Sequence, residues 1–256
     1  MSEHATTTGF RGGRAGRHGL SVHLLGRFVV QEGDKTINLP SDSQRLVAFL
    51  ALQGGGVPRT FVAGVLWIDS DQERAQGNLR SALWRLRQRS QSLVSSNTNT
   101  LGISPEVEID VDRATMTARR LFGDRGEFQE EDYTIDLFVQ ELLPGWYEDW
   151  ALIERERVRQ QALHALEAIA DRLTRIGRHP DAIAAALSAI RLDPFRESAH
   201  RCLIRAHLSE GNRSEAIRQY AFYQTLLKSN LGLTPSVEML DLMSAVRSEA
   251  LAQADR

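Results

Sequence analysis

Residues 73–90 read ERAQGNLRSALWRLRQRS. The stretch holds Arg74, Arg80, Arg85, Arg87 and Arg89, no lysine, and one acid, Glu73. On a helix turning 100° per residue, Ala75, Leu79, Ala82, Leu83 and Leu86 fall within an arc of about 100° and form an apolar stripe. Gln76, Gly77, Arg80, Ser81, Trp84, Arg87 and Gln88 lie opposite, with Arg74, Asn78, Arg85 and Arg89 on one flank. A single acid leaves few i,i+4 ion pairs to balance the arginines, and like charges on one helix repel unless a partner neutralises them. Arginine grips guanine O6 and N7 with two bonds, and Asn or Gln suits adenine N6 and N7. A helix also fits the major groove. The pattern points to DNA contact. The competing reading is a solvated amphipathic helix with one exposed tryptophan.

Other chemistries are poorly represented. No GxxxxGK[ST], HExxH or GxSxG run occurs, so neither an enzyme nor a cofactor is expected. His200, Cys202 and His207 lie close together but lack the second cysteine pair of a metal site. No metal is expected there. Glu154 and Glu156 alternate with arginines, the pattern of a salt-laced helix surface.

The elements around residues 73–90 follow from patterning. LSVHLLGRFVV (20–30) and TINLP (36–40) are β-like runs flanking a turn at Glu32–Asp34, which predicts a small antiparallel sheet. Ser41 with Gln44 has capping-box spacing. Leu46, Val47, Leu50 and Ala51 then share one helical face, and Gly54, Gly55 and Gly56 end the helix. A short helix from Thr60 carries Phe61, Val62, Val65 and Leu66. Ser70 and Glu73 supply a second capping box that opens the arginine helix. LVSSNTNTLGIS (93–104) predicts two strands around Asn97–Asn99, and PEVEIDVD (105–112) continues extended. Strands, three helices and a hairpin, in that order, define a winged helix-turn-helix with an N-terminal sheet.

Charge supports a division of labour. The chain has 256 residues and a net charge of −2, so a globally basic character is excluded. Residues 21–122 carry 12 basic against 10 acidic side chains, whereas residues 123–256 carry 16 against 22. A basic front half precedes an acidic back half. Residues 1–19 lack apolar periodicity and read as a disordered arm. Residues 123–132 are polar and acidic and read as a linker. One cysteine excludes an internal disulfide, and neither a secretory signal nor an apolar run of about 18 residues occurs. A cytoplasmic, nucleoid-associated protein without membrane contact is expected.

The back half is helical in pattern and repeats itself. GRHPDAI (177–183) and GNRSEAI (211–217) match at Gly177/Gly211, Asp181/Glu215, Ala182/Ala216 and Ile183/Ile217. Ala165/Ala199 and Ile169/Leu203 keep the same spacing of 34 residues. That is the tetratricopeptide period and predicts a short helical array. Trp146, Tyr147 and Trp150 begin a helix after the Pro144–Gly145 turn and are expected in a core or between domains.

Taken together, LPSDSQRLVAFLAL…VLWIDSDQERAQGNLRSALWRLRQ resembles the OmpR-type winged-helix domain of the Streptomyces antibiotic regulatory protein (SARP) family. LLPGWYEDWALIERERVRQQALHALEAIADRL, with the segments that follow to LGLTPS, resembles that family's bacterial transcriptional activation domain. The resemblance implies a winged-helix domain over 20–122 and a tetratricopeptide-like activation domain over 133–256, an α+β unit followed by an all-α one. It implies an activator that binds direct repeats near the −35 region of promoters for antibiotic biosynthetic genes and recruits RNA polymerase. The chain reads as a small member without an ATPase or sensor module. The DNA-binding set is then Arg74, Gln76, Asn78, Arg80, Ser81, Trp84, Arg85, Arg87 and Gln88, with Arg80, Arg85 and Arg87 foremost. Trp67, Asp69 and Asp71 fall in a loop that can face polymerase in such activators. The alternative is a helical-repeat adaptor that binds protein instead of DNA.

One departure from the family pattern has consequences. Residues 91–109, the wing, contain no Lys or Arg. Counterion release must then come mainly from the arginine helix, one domain alone binds weakly, and a dimer or higher oligomer on adjacent repeats is expected.

Overall fold

The run LSVHLLGRFVV breaks into two strands, because Gly26 takes φ 76° and turns the chain between them. The computed structural model describes residues 19–123 and 130–244; the expected N-terminal arm, but for Gly19, and linker residues 124–129 lie outside them. β1 (Leu20–His23) pairs antiparallel with β2 (Val29–Glu32), and β2 with β3 (Lys35–Thr36) across Gly33, whose φ is 57°. The expected all-antiparallel sheet is incomplete. β7 (Glu108–Ile109) joins β1 in parallel, giving the order β3-β2-β1-β7.

PEVEIDVD does not stay extended. After β7 the chain turns directly into α4 (Asp110–Phe122), a helix the alternation of Val107, Ile109 and Val111 concealed. The Asp110 carboxylate accepts the backbone N–H groups of Leu24 and Leu25 at 3.0 Å and so fixes the end of β1.

α1 spans Ser41–Gln53 and buries Leu46, Val47, Leu50 and Ala51 as patterned, ending at Gly54 with φ 65°. Its expected capping box does not form. Pro40 is the N-cap, Ser41 is already helical, and Gln44 instead donates to the Leu39 carbonyl at 2.7 Å. β4 (Val57–Pro58) leads into α2 (Arg59–Leu66), where Val62 and Leu66 are buried but Phe61 is exposed, its ring 6.2 Å from that of Phe49. After α3 (Gln72–Arg87), β5 (Val94–Ser96) and β6 (Thr100–Ile103) form the expected hairpin, and β4 completes a sheet of order β4-β6-β5. The Asn97 side-chain Oδ1 accepts from Asn99 N, Thr100 N and the Thr100 hydroxyl, which shapes the hairpin tip.

The chain forms two compact units dividing at Asp110/Val111, so that α4 starts on the last residue of the first unit and continues into the second. In the second unit α5 (Asp149–Arg175) and α6 (His179–Leu192) make one helical pair, and α7 (Glu197–Glu210) and α8 (Arg213–Leu231) the next. The 34-residue period is structural. Gly177 and Gly211 close the first helix of each pair at φ 78° and 86°, a left-handed conformation glycine adopts without steric cost. Ala182 and Ala216 open the second helices fully buried, and Ala165, Ala199 and Ile169 are also at 0% exposure. Residues 237–244 add a further helical segment, whose Met239 and Met243 complete a core with Tyr220, Tyr223 and Leu227.

Candidate nucleic-acid interface

The arginine helix is α3, and its two faces separate as the wheel requires. Ala75, Leu79, Ala82, Leu83 and Leu86 are its buried residues, none more than 5% exposed. α1 and α2 pack against it. Burying this stripe supplies the hydrophobic drive that holds the helix, at about 25 cal/mol per Å² of apolar surface. Ser43 of α1, fully buried, donates to the Ala82 carbonyl at 3.2 Å and pins the two helices at close approach. Sequence periodicity gives no hint of Ser43, because a lone serine in an apolar face looks like a neutral filler.

The helix starts one residue later than the sequence suggests. Asp71, not Ser70, is the N-cap, and its carboxylate accepts Arg74 N at 2.8 Å. An aspartate here satisfies an orphan N–H and also complements the positive end of the helix. Asp71 is thus committed to the helix start. In the preceding loop Trp67 is half-buried, Asp69 is exposed and Ile68 is 77% exposed.

On the outer face Arg74, Arg80, Ser81, Trp84, Arg87, Gln88 and Arg89 are exposed, and Gln76 and Asn78 half-buried. Trp84 is 65% exposed. The guanidiniums of Arg74, Arg80 and Arg89 have no ion-pair partner among the described residues. Arg80, Trp84 and Arg87 form the outward row at i, i+4 and i+7. A Cβ at Gly77 would meet just the Arg80 Nη2 at 3.7 Å, so Arg80 lies back along a stretch of bare helix backbone. Arg87 donates through Nη2 to Ser96 Oγ in β5 at 2.8 Å, which ties the helix to the wing.

Arg85 behaves differently from the other four. Its Nη2 is ion-paired to Asp42 Oδ2 at the start of α1, and its buried Nε has no partner. Its charge is compensated inside the unit, so it is not equivalent to Arg80 and Arg87. Asp42 stands 43 residues away in sequence, beyond the reach of any local pattern.

The remaining titratable clusters are structural. His200 is fully buried, with Nε2 2.9 Å from the Pro194 carbonyl and Nδ1 2.7 Å from Gln219 Nε2. Burial pushes its pKa below 6.5. Cys202 is buried beside Asp171, and burial raises its thiol pKa far above the ordinary value. No group of three His, Cys, Asp or Glu side chains among the described residues is arranged to hold a metal ion. Glu154–Arg157 and Glu156–Arg159 form the surface pairs expected on α5. The aromatic cluster departs from expectation. Tyr147 is 78% exposed, while Trp146 and Trp150 are half-buried and meet edge to face at 6.1 Å. No described helix is long and apolar enough to cross a membrane.

The fold is a winged helix-turn-helix with an outward cationic helix, followed by tetratricopeptide-like helical pairs. The bacterial transcriptional activator domain family matches residues 126–247. Regulatory protein AfsR of Streptomyces griseus is 26% identical over 243 residues, 89% of this chain and 24% of that protein. This chain therefore spans about a quarter of the length of that curated relative. The solved structure of Mycobacterium tuberculosis EmbR in complex with a low-affinity phosphopeptide is 16% identical with a TM-score of 0.68, over 90% of this chain and 65% of that one. At that identity the likeness shows the shared fold. The chain thus carries a bacterial transcriptional activator domain in its second half and is similar along most of its length to part of a regulatory protein.

Proposed function

We propose that this chain is a sequence-specific activator that inserts α3 into the major groove of promoter direct repeats near the −35 region and recruits RNA polymerase, for a secondary-metabolite (antibiotic) gene cluster. The observation that carries the reading is the division of α3. Its apolar stripe is wholly buried, while Arg80, Trp84 and Arg87 are exposed among the described residues. Had Arg80 and Arg87 been sealed beneath other segments, the reading would fail.

Arg80 and Arg87 are the foremost base and phosphate contacts, supported by Arg74, Gln76, Asn78, Ser81 and Gln88. Trp84 packs on sugar or a thymine methyl. The 67–71 loop is assigned to polymerase, with exposed Ile68 and Asp69 as its contact residues and Asp71 as the cap that holds it. The uncharged wing offers no cations to phosphate, so adjacent protomers on repeated sites raise affinity through effective concentration.

Fluorescence anisotropy with promoter duplexes tests the DNA reading. Binding that weakens steeply with salt and drops on Arg80→Ala supports it; no binding at low salt rejects it in favour of a protein adaptor. Analytical ultracentrifugation on a two-repeat duplex tests the stoichiometry, where a strict 1:1 complex at saturation rules out oligomeric binding.

A further inference from the structure

We infer that Asp42 is an attenuator of non-specific DNA binding: it holds the Arg85 guanidinium against α1 and so withdraws one cation from the phosphate-facing surface of α3. The inference rests on the DNA-reading proposal above and adds to it a residue on a different helix.

Three observations carry it. First, Arg85 is the one arginine of the α3 stretch whose charge is met by an acid: Nη2 pairs with Asp42 Oδ2, while Arg74, Arg80 and Arg89 have no ion-pair partner among the described residues and Arg87 is bonded to a neutral hydroxyl. Second, Asp42 is itself held in place. Its Oδ1 accepts Ser43 N at 2.9 Å, and the first turn of α1 carries it at the helix N-terminus, where a carboxylate is stabilised. Third, the pair is accessible, with the Arg85 side chain 41% and the Asp42 side chain 26% exposed, and the Arg85 Nε has no partner. Among the described residues, the Asp42 carboxylate is thus the group that fixes the charged end of Arg85.

The consequence is specific to electrostatics. Phosphate contacts supply affinity without sequence information, and each neutralised phosphate adds about 0.9 to the slope of log K against log salt. An arginine already neutralised by a carboxylate releases no counterion from DNA. Asp42 thus trades non-specific affinity for a larger share of binding through the outward Arg80–Trp84–Arg87 row.

The test is a four-protein cycle in the full chain: parent, Asp42→Asn, Arg85→Gln and the double variant. Each is titrated by anisotropy against a labelled mixed-sequence duplex of about 30 base pairs, spanning three turns of DNA, between about 50 and 200 mM salt. Asp42→Asn is expected to steepen the salt slope by about 0.9, so that its gain over the parent is about 3-fold larger at the lower salt. Arg85→Gln and the double variant are expected to keep the parent slope. An unchanged slope in Asp42→Asn overturns the proposal. So does the same steepening on the Arg85→Gln background, because Asp42 would then act through its own field. If Asp42→Asn loses its cooperative thermal transition, Arg85→Gln decides alone: a slope shallower than the parent's by about 0.9 means Arg85 already sits on a phosphate and sinks the proposal. A parent chain that fails to bind the duplex at low salt instead rejects the DNA-reading proposal itself.

Discussion

Arg87 in α3 and Ser96 in β5 meet through a 2.8 Å hydrogen bond, so the proposed reading helix is tied to the wing by one of the arginines proposed to contact DNA. The bond fixes an otherwise flexible guanidinium before DNA arrives, which lowers the ordering cost of binding. Ser96→Ala removes the tether and keeps the charge. Affinity is expected to fall by about 2- to 5-fold, corresponding to about 0.5–1 kcal/mol, with an unchanged salt slope. Arg87→Ala removes the charge as well and should flatten the slope by about 0.9. Anisotropy titrations at several salt concentrations separate the two effects. Equal slopes in Arg87→Ala and the parent would show that Arg87 does not reach a phosphate.

Arg80 has no hydrogen-bond or ion-pair partner among the described residues, so its substitution is a clean test of the proposed DNA contact. A two-bond contact to guanine is worth about 1–3 kcal/mol. Arg80→Ala is therefore expected to weaken binding to the natural repeat by about 5- to 150-fold, with a much smaller loss on a mixed-sequence duplex. Arg80→Lys should not restore it, because a point charge lacks the planar fork. Thermal melting should be the same in all three proteins. A similar loss on both duplexes would assign Arg80 to phosphate and not to a base.

Gly77 sits inside α3, where glycine costs about 1 kcal/mol of helix stability relative to alanine. Among the described residues nothing demands it: its φ is not positive, and beyond its own helix backbone an added Cβ meets just Arg80 Nη2 at an ordinary 3.7 Å. Under the proposed DNA reading, the bare backbone lets the helix approach DNA closely. Gly77→Ala should raise the melting temperature by about 4–8 °C, the shift expected for about 1 kcal/mol in a domain of this size, while weakening DNA binding. A variant that is more stable and binds DNA as well as the parent would remove this explanation for Gly77.

The legible parts of the fold were those written locally. The buried stripe of α3 falls on the five residues that a 100° wheel selects, because 3.6-residue periodicity is enforced by packing of one face. The 34-residue repeat was legible through Gly177 and Gly211, since few residues other than glycine close a helix with φ near 80°. Helix starts were read less well. Ser41 and Ser70 have the right chemistry for caps, but Pro40 and Asp71 take the positions, each one residue away. α4 was hidden because Val107, Ile109 and Val111 alternate like a strand, while the helical turn begins within them at Asp110. Tyr147 and its neighbours looked like core aromatics, yet Arg155 holds their loop at the surface by donating to the carbonyls of Leu142, Leu143 and Trp146. Leu143 keeps a strained φ of 45° in that loop. Contacts of this kind, like Arg85 with Asp42, join residues that no period relates.

His200 makes the helical unit sensitive to acid. The Pro194 carbonyl can only accept, so Nε2 carries the proton and Nδ1 accepts from Gln219. The neutral ring lies fully buried against Tyr223 at 4.2 Å and joins the α6–α7 connection to α8. Burial lowers its pKa in the folded chain, against partial opposition from the Pro194 bond and the nearby Glu197 and Asp193. The unfolded chain, with a pKa near 6.5, takes up the proton first as pH falls. Between that value and the lower folded pKa the unfolded state holds more protons, so stability rises with pH and is lost as pH drops below about 6.5. The limiting slope is about 1.4 kcal/mol per pH unit for one proton. His200→Gln retains an amide N–H for Pro194 and cannot titrate. It should be less stable than the parent at neutral pH, through imperfect packing, but should lose less stability between pH values of about 7 and 5. Urea unfolding followed by far-UV circular dichroism across that range gives the comparison. Parallel stability–pH curves for parent and variant would place the acid sensitivity in other groups and leave His200 a purely structural bridge between α7, Pro194 and α8.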